Sequence, residues 1–274
     1  MVNSQDKKIL QEMFNGYQGT PLLWQDKMVF DMEQYVPDST SKAFFKDKEF
    51  NSIRLGNLVE KFVSFQIQNL SNAEIIAENL QINKEKETIG ELDILFLLEQ
   101  QPIHLEIIYK FYLFDSNADP NDSLGHWIGP NRRDSLIYKL NKLKNRQLPL
   151  LFKPETILAI KNLGIDVANI KQLTCFKAQL FVPYKSNVEK LNPLNDQCIT
   201  GNYLNYKLIE CLKNCQFYIP TKLEWLCKPR SNVKWLNSNT ANAEIMKFIN
   251  ENRSPLIWVK QKDNSLQKYF ITWW

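Results

Sequence analysis

The sequence predicts an α/β protein in which a mixed central sheet is flanked by helices. Three observations carry this: residues 51–70 repeat apolar side chains at helical spacing, residues 87–114 hold two long apolar strand runs in succession, and residues 131–148 return to helical spacing. A chain of 274 residues is long enough to bury a sizeable core as one large domain or a domain with an extension. The expected organisation is a wrapping segment over 1–50, a core over 51–150 and an αβ continuation over 151–274, packed as one compact unit.

The first residues, MVNSQDKKILQEMF, lack the contiguous apolar core of a secretory signal and read as an ordinary helix start, so the expected location is the cytoplasm. No apolar run approaches the roughly 18 residues of a membrane span. The following YVPDSTSKAFF is turn-rich and reads as irregular wrapping. Residues 51–70, NSIRLGNLVEKFVSFQIQNL, place Leu55, Leu58, Val59, Phe62 and Phe65 on one helical stripe. AEIIAENLQI reads as a short strand, and ETIGELDILFLL and PIHLEIIYKFYLF as longer strands joined by EQQP, a tight-turn length.

DSNADPNDSLGHWIGP is a loop by composition, and NRRDSLIYKLNKLKNRQL then opens a basic amphipathic helix with an Asn able to cap it. Downstream, LTCFKAQLFVPY reads as a buried strand, NYLNYKLIECLKNC and NAEIMKFINEN as helices, and the C-terminal SPLIWVKQKDNSLQKYFITWW as a hairpin around KDNS.

Five cysteines, with no CxxC pair and no neighbouring His cluster, read as reduced half-buried thiols rather than zinc ligands. Lys plus Arg against Asp plus Glu runs 6 to 8 over residues 1–50, 11 to 13 over 51–150 and 17 to 9 over 151–274. That basic excess is compatible with a polyanionic partner or with a solvated surface. The chain has no phosphate-cradling glycine loop, zinc-protease helix or GxSxG elbow, which argues against nucleoside-triphosphate and serine-hydrolase chemistry.

Chemistry concentrates in the two central strands. A period of two puts Ile103, Leu105, Ile107, Tyr109, Phe111 and Leu113 on one face and His104, Glu106, Ile108, Lys110, Tyr112 and Phe114 on the other. Asp93 can lie beside Glu106 if the strands pair across EQQP. Two carboxylates that close raise one pKa unless a cation sits between them. Glu60 sits at or beside the apolar stripe of its helix, one turn after Gly56. His104 alternates with Glu106 and is a possible supporting partner of it. Arg132, Arg133, Lys139, Lys142 and Arg146 make the helix over 131–148 basic, through a solvated face or through phosphate contact.

The motifs RLGNLVEKF, GELDILF, HLEIIYKFYL and GPNRRDSLIYKLNKLKNRQL resemble a bacterial family of unknown function, domain-of-unknown-function family 1853. A helix with Glu, a strand with Asp, a strand with Glu and Lys and then an amphipathic helix also resembles the core of the PD-(D/E)XK nuclease-like superfamily. The resemblance implies a restriction-endonuclease-like sheet. It implies that Asp93 and Glu106 hold magnesium, or manganese in its place, that Lys110 orients or deprotonates the attacking water, and that Glu60 assists from its helix. In that superfamily acid and lysine stand two residues apart, whereas Ile108 holds that place here and Lys110 follows Glu106 by four, ~13 Å along a strand instead of ~7 Å. A bulge could close the gap, or Lys139 could supply the charge. The expected function is a metal-dependent nuclease acting on DNA or RNA. The alternatives are a degenerate member of the fold that binds nucleic acid or protein, and a structural protein whose charges only pair with one another.

Overall fold

In a computed structural model of the chain, described for residues 4–25, 29–37, 45, 53–118, 123–186, 188 and 191–274, helices flank one mixed nine-stranded sheet. The elements are α1 Ser4–Gln18, α2 Leu55–Gln68, β1 Ala73–Lys84, β2 Glu87–Leu98, β3 Gln101–Phe114, β4 Trp127–Ile128, α3 Leu136–Lys142, α4 Pro154–Asn162, β5 Lys171–Pro183, β6 Ile199–Asn205, β7 Gln216–Tyr218, α5 Ser238–Asn250, β8 Leu256–Lys260 and β9 Leu266–Thr272. The strand order is β1-β2-β3-β5-β6-β9-β8-β7, with β4 added to β3. No helix among the described residues is long and apolar enough to cross a membrane.

β1, β2 and β3 form an antiparallel meander, and β5 runs parallel to β3 from Ile103↔Lys171 to Leu113↔Phe181. The EQQP connection is a two-residue turn in which Glu99 and Gln100 both have positive φ, 50° and 69°, the backbone twist that suits a tight hairpin. Because β5 inserts beside β3, the strands of residues 51–150 and of 151–274 share one sheet.

The alternation read in β3 is realised in the packing. On one face Leu58, Val59 and Phe62 of α2 meet Ile94, Phe96, Ile103 and Leu105. On the other, Leu136, Leu140 and Leu143 meet Ile108, Tyr112 and Phe176. Each such side chain, fully buried, contributes about 1.5–3 kcal/mol of apolar transfer. At the far end α5 covers the closing β8–β9 hairpin through Ala241, Ile245 and Ile249.

Three expectations are corrected. The basic helix begins at Leu136, capped by Ser135, whose side chain accepts from the Tyr138 N–H. Asn131 lies in the preceding turn, and a π-helical segment Leu143–Gln147 follows α3. NYLNYKLIECLKNC is not a helix: its first residues complete β6, and Tyr206–Leu212 is a 3₁₀ segment, because the Asn205 side chain accepts from the Lys207 N–H and ends the strand in a turn. The loop over 115–130 carries the short strand β4. Most of YVPDSTSKAFF lies outside the described residues.

α1 is fastened by a buried polar layer. Lys177 Nζ donates to the Tyr17 and Gln18 carbonyls at 3.1 and 3.2 Å, where the helix C-terminus favours a cation. Lys268 Nζ donates to Gln179 Oε1 at 2.8 Å and to the Trp225 carbonyl at 2.6 Å. Gln179 in turn donates to the Tyr109 hydroxyl, which lies 2.7 Å from Thr20 Oγ1. A Cβ on Gly16 would stand 2.1 Å from the Leu226 carbonyl oxygen, so α1 contacts the 223–226 turn backbone to backbone. Gly16→Ala should therefore destabilise the fold by about 1–3 kcal/mol, read from the urea midpoint at unchanged m-value; an unaltered midpoint would show that this contact yields freely.

Candidate active site

β2 and β3 pair only from Ile94↔Leu105 to Leu98↔Gln101. One residue farther, at Asp93 and Glu106, they part. β1 also breaks its ladder opposite this point, where Asn79 takes φ 49° between the pairs Glu78↔Ile94 and Leu80↔Leu92. At the fork the Asp93 carboxylate takes the place of the missing ladder: Oδ2 accepts from the Ile107 N–H at 2.7 Å. The edge of β3 beyond Ile107 has no strand partner among the described residues until β4 meets it at Leu113.

Glu106 is fully buried. Its Oε1 lies 3.2 Å from His104 Nε2, and its Oε2 accepts from Gln147 Nε2. Gln172 Nε2, 3.0 Å from His104 Nδ1 and 2.7 Å from the Leu148 carbonyl, fixes the ring from behind. His104 and Glu106, two residues apart on β3, thus touch on one face of the strand.

Lys139 enters from α3, its Nζ donating to Gln147 Oε1 at 2.7 Å. Burial holds its pKa down to about 8, against the upward pull of Glu106 and, more weakly, Asp93, and with the like charge of Lys110 assisting. Burial and then the charge of Glu106 push the Asp93 carboxyl up to about 8, with Glu60 adding to the rise and the Ile107 hydrogen bond and Lys139 opposing it. Glu60 is raised by burial and then by Glu91 and Glu106. In the amide orientation that satisfies both ends, Asn79 donates to Glu91 Oε1 and Glu60 Oε2, each at 3.2 Å.

The structure therefore brings Asp93, Glu106 and Lys139 together and sets Glu60 within electrostatic reach. It does not gather a three-ligand cluster: no group of three His, Cys, Asp or Glu able to hold a metal occurs among the described residues. Lys110 is not hydrogen-bonded to either acid. Its Nζ pairs with Asp134 Oδ2 at 2.5 Å, because an unbulged β3 carries it two residues past Ile108, to where the 129–134 turn crosses the strand. Of the other basic residues, Arg132 pairs with Asp115 at 2.8 Å and stacks over Trp274, while Arg133, Lys142 and Arg146 are exposed. Sequence reasoning missed Gln147, Gln172 and Asn79. An amide four residues beyond the last apolar position of a helix carries no signal until the π-helical turn at Leu143–Gln147 is known to aim it inward.

The protonation of Asp93 yields a signed prediction. Its folded pKa near 8 lies above the ordinary carboxylate value, so the folded chain holds an extra proton between about pH 4 and pH 8, and stability must fall as pH rises through that window. Lys139, depressed from 10.5 to about 8, has the opposite slope above pH 8. Melting temperature followed from pH 5 to 8 should decline less steeply in Asp93→Asn than in the wild type; parallel profiles would refute the assignment. Gln147→Leu, which leaves Glu106 Oε2 without its donor, should cost about 1–3 kcal/mol in denaturant unfolding.

A family model described as "Domain of unknown function (DUF1853)" matches residues 23–270. No curated protein and no solved structure matches the chain.

Proposed function

The chain belongs to the DUF1853 family, and we propose that it is a metal-dependent phosphodiester hydrolase with its centre at the fork between β2 and β3. The observation that carries this is the meeting of two acids and a lysine where the strands separate at an open edge: Asp93 on the Ile107 N–H, and Glu106 linked through Gln147 to Lys139. The order of elements supports a restriction-endonuclease-like core: a helix, three antiparallel strands, a helix on the opposite face and a strand parallel to the third.

The donor set fits magnesium. This hard ion is commonly held by one or two carboxylates with water completing its shell, so a third acidic ligand is not needed. Asp93 Oδ1 has no hydrogen-bond partner among the described residues, and a carboxyl kept protonated by burial and a neighbouring acid would ionise when a divalent ion replaces the proton. When bound by Asp93 and Glu106, the ion supplies charge stabilisation at the phosphate oxygens and a lowered pKa for water.

The remaining roles belong to the chain. Lys139, with a pKa near 8, exchanges its proton close to neutrality and so accepts one from the water that attacks phosphorus, while the bond to the leaving sugar oxygen breaks and that oxygen takes a proton from solvent water. Gln147 holds Lys139 and Glu106 at a fixed separation by donating to one and accepting from the other. His104 and Gln172 orient Glu106. Lys110, paired with Asp134, has no part in the proton transfer.

Millimolar Mg²⁺ or Mn²⁺ should raise the melting temperature of the wild type and leave the Asp93→Asn, Glu106→Gln double variant unmoved. Turnover at saturating plasmid or single-stranded substrate should fall by at least about a hundredfold in Glu106→Gln and Lys139→Met, while Lys110→Met keeps most of that turnover and loses affinity for substrate instead. Equal loss in Lys110→Met and none in Lys139→Met would reverse the roles of the two lysines; no metal-linked shift would end the hydrolase reading in favour of a binding module.

A further inference from the structure

Two cavities lie beyond the fork, and neither has Asp93, Glu106 or Lys139 in its lining. The first, about 380 Å³, opens along the unpaired edge of β3 and is lined by Gly56, Lys110, Arg133 and Lys222 over a floor of Tyr109 and Phe111. The second, about 420 Å³, continues past Asn131 and Lys222 to Arg253, with Trp225 and Phe248 in its wall. Asn131 and Lys222 line both, so the two form one cleft.

The shared wall is built rigidly. Asn131 Oδ1 accepts from the Ser254 N–H at 2.8 Å, and the Pro130 carbonyl accepts from Ser254 Oγ and from Trp274 Nε1. The Gly129 N–H donates to the Asp134 carbonyl at 2.7 Å, closing the turn. Gly56 leaves the first turn of α2 open: a Cβ there would meet only Glu60 Oε1, at 4.0 Å. The cleft thus begins beside Glu60 and runs away from the carboxylates.

Its charge is one-sided. Asp134 is the one acid in the lining, and it is already paired with Lys110. Neither Arg133 nor Lys222 has a carboxylate partner among the described residues; Lys222 instead lies over the Trp225 ring at 3.3 Å from its centroid and over Phe111 at 5.3 Å. Arg253 stacks over Phe248 at 5.1 Å and pairs only with the exposed Glu251. Desolvation in the cleft, then the like charges of Lys110 and Arg253, push the Lys222 pKa down to about 7, and Lys110 in turn bears on Lys139. Arg133 and Lys222 are thus left without a carboxylate in a lining whose one acid is already engaged, which favours an anionic ligand.

We propose that this cleft is the track of a single-stranded nucleic-acid segment, with successive phosphates at Lys110 with Arg133, at Lys222 and at Arg253. A cationic lining in cavities of about 380 and 420 Å³ suits one unpaired strand, because a duplex is too wide to enter them. The direction of the track, from Arg253 toward the fork, rests on the hydrolase reading; the binding itself does not.

The test measures binding without catalysis. Fluorescence anisotropy with a labelled ten-nucleotide DNA or RNA strand and with the matching DNA duplex, in EDTA and at low salt, separates the two proposals. The wild type should bind at least one of the single strands more tightly than the duplex, with affinity falling as salt rises. Lys222→Met and Arg253→Gln should each weaken binding about tenfold and lower the slope of log affinity against log salt by about 0.7. Gly56→Leu, which fills the first cavity without altering charge, should weaken it as well, and far-ultraviolet circular dichroism checks that each variant folds. Wild-type affinity in all three folded variants, or tighter binding of the duplex, would overturn the track. Binding lost in the variants without any metal-dependent cleavage by the wild type would uphold the track and remove the hydrolase.

Discussion

The hydrogen bond from the Ile107 N–H to Asp93 Oδ2 sits where the sheet divides, and the site depends on it. A strand edge inside a protein must satisfy its backbone groups, and β3 loses the β2 ladder after Leu105. One carboxylate oxygen closes that edge at the first unpaired amide, so β2 can leave toward β1 while β3 continues beside β5. The gap between them admits Lys139 and Gln147 from the far face and exposes the edge that the cleft follows. An apolar residue at 93 would leave the amide unpaired, and an ordinary ladder would leave no gap.

The electrostatics of the fork is unequal by construction. Glu106 is held by two donors, each fixed by a further residue, whereas Asp93 has one backbone donor and a free oxygen. Burial and the charge of Glu106 leave Asp93 with its proton to about pH 8, while Lys139 loses part of its own at the same pH. Two groups of opposite charge type that titrate together near neutrality can exchange a proton at small cost, which a salt bridge held at full charge cannot.

Away from the fork, buried lysines are used differently. Lys177 and Lys268 meet carbonyls and an amide rather than acids, and they bind α1, β5, β9 and the 223–226 turn into one layer. That layer holds Trp225, and with it the wall on which Lys222 lies, so the N-terminal helix steadies a cleft it does not line.

The sequence by itself determined the elements and the faces. Apolar spacing placed α2, β2 and β3, and a period of two sorted Glu106 and His104 from Leu105 and Ile107, because both signals are local and follow from backbone geometry alone. Asp93 and Glu106 were legible as a pair since a short turn fixes the register of two adjacent strands. Only the tertiary structure decided which lysine joins them. Lys110 is near Glu106 in sequence yet is carried along β3 to Asp134, while Lys139 and Gln147, more than thirty residues on, return through the packing of α3 and a π-helical turn. The cleft was equally invisible, since Lys110, Arg133, Lys222 and Arg253 come from four separate segments that meet only when the turn at 129–134 docks on Ser254 and Trp274. Local periodicity cannot encode that closure, which is set by long-range packing.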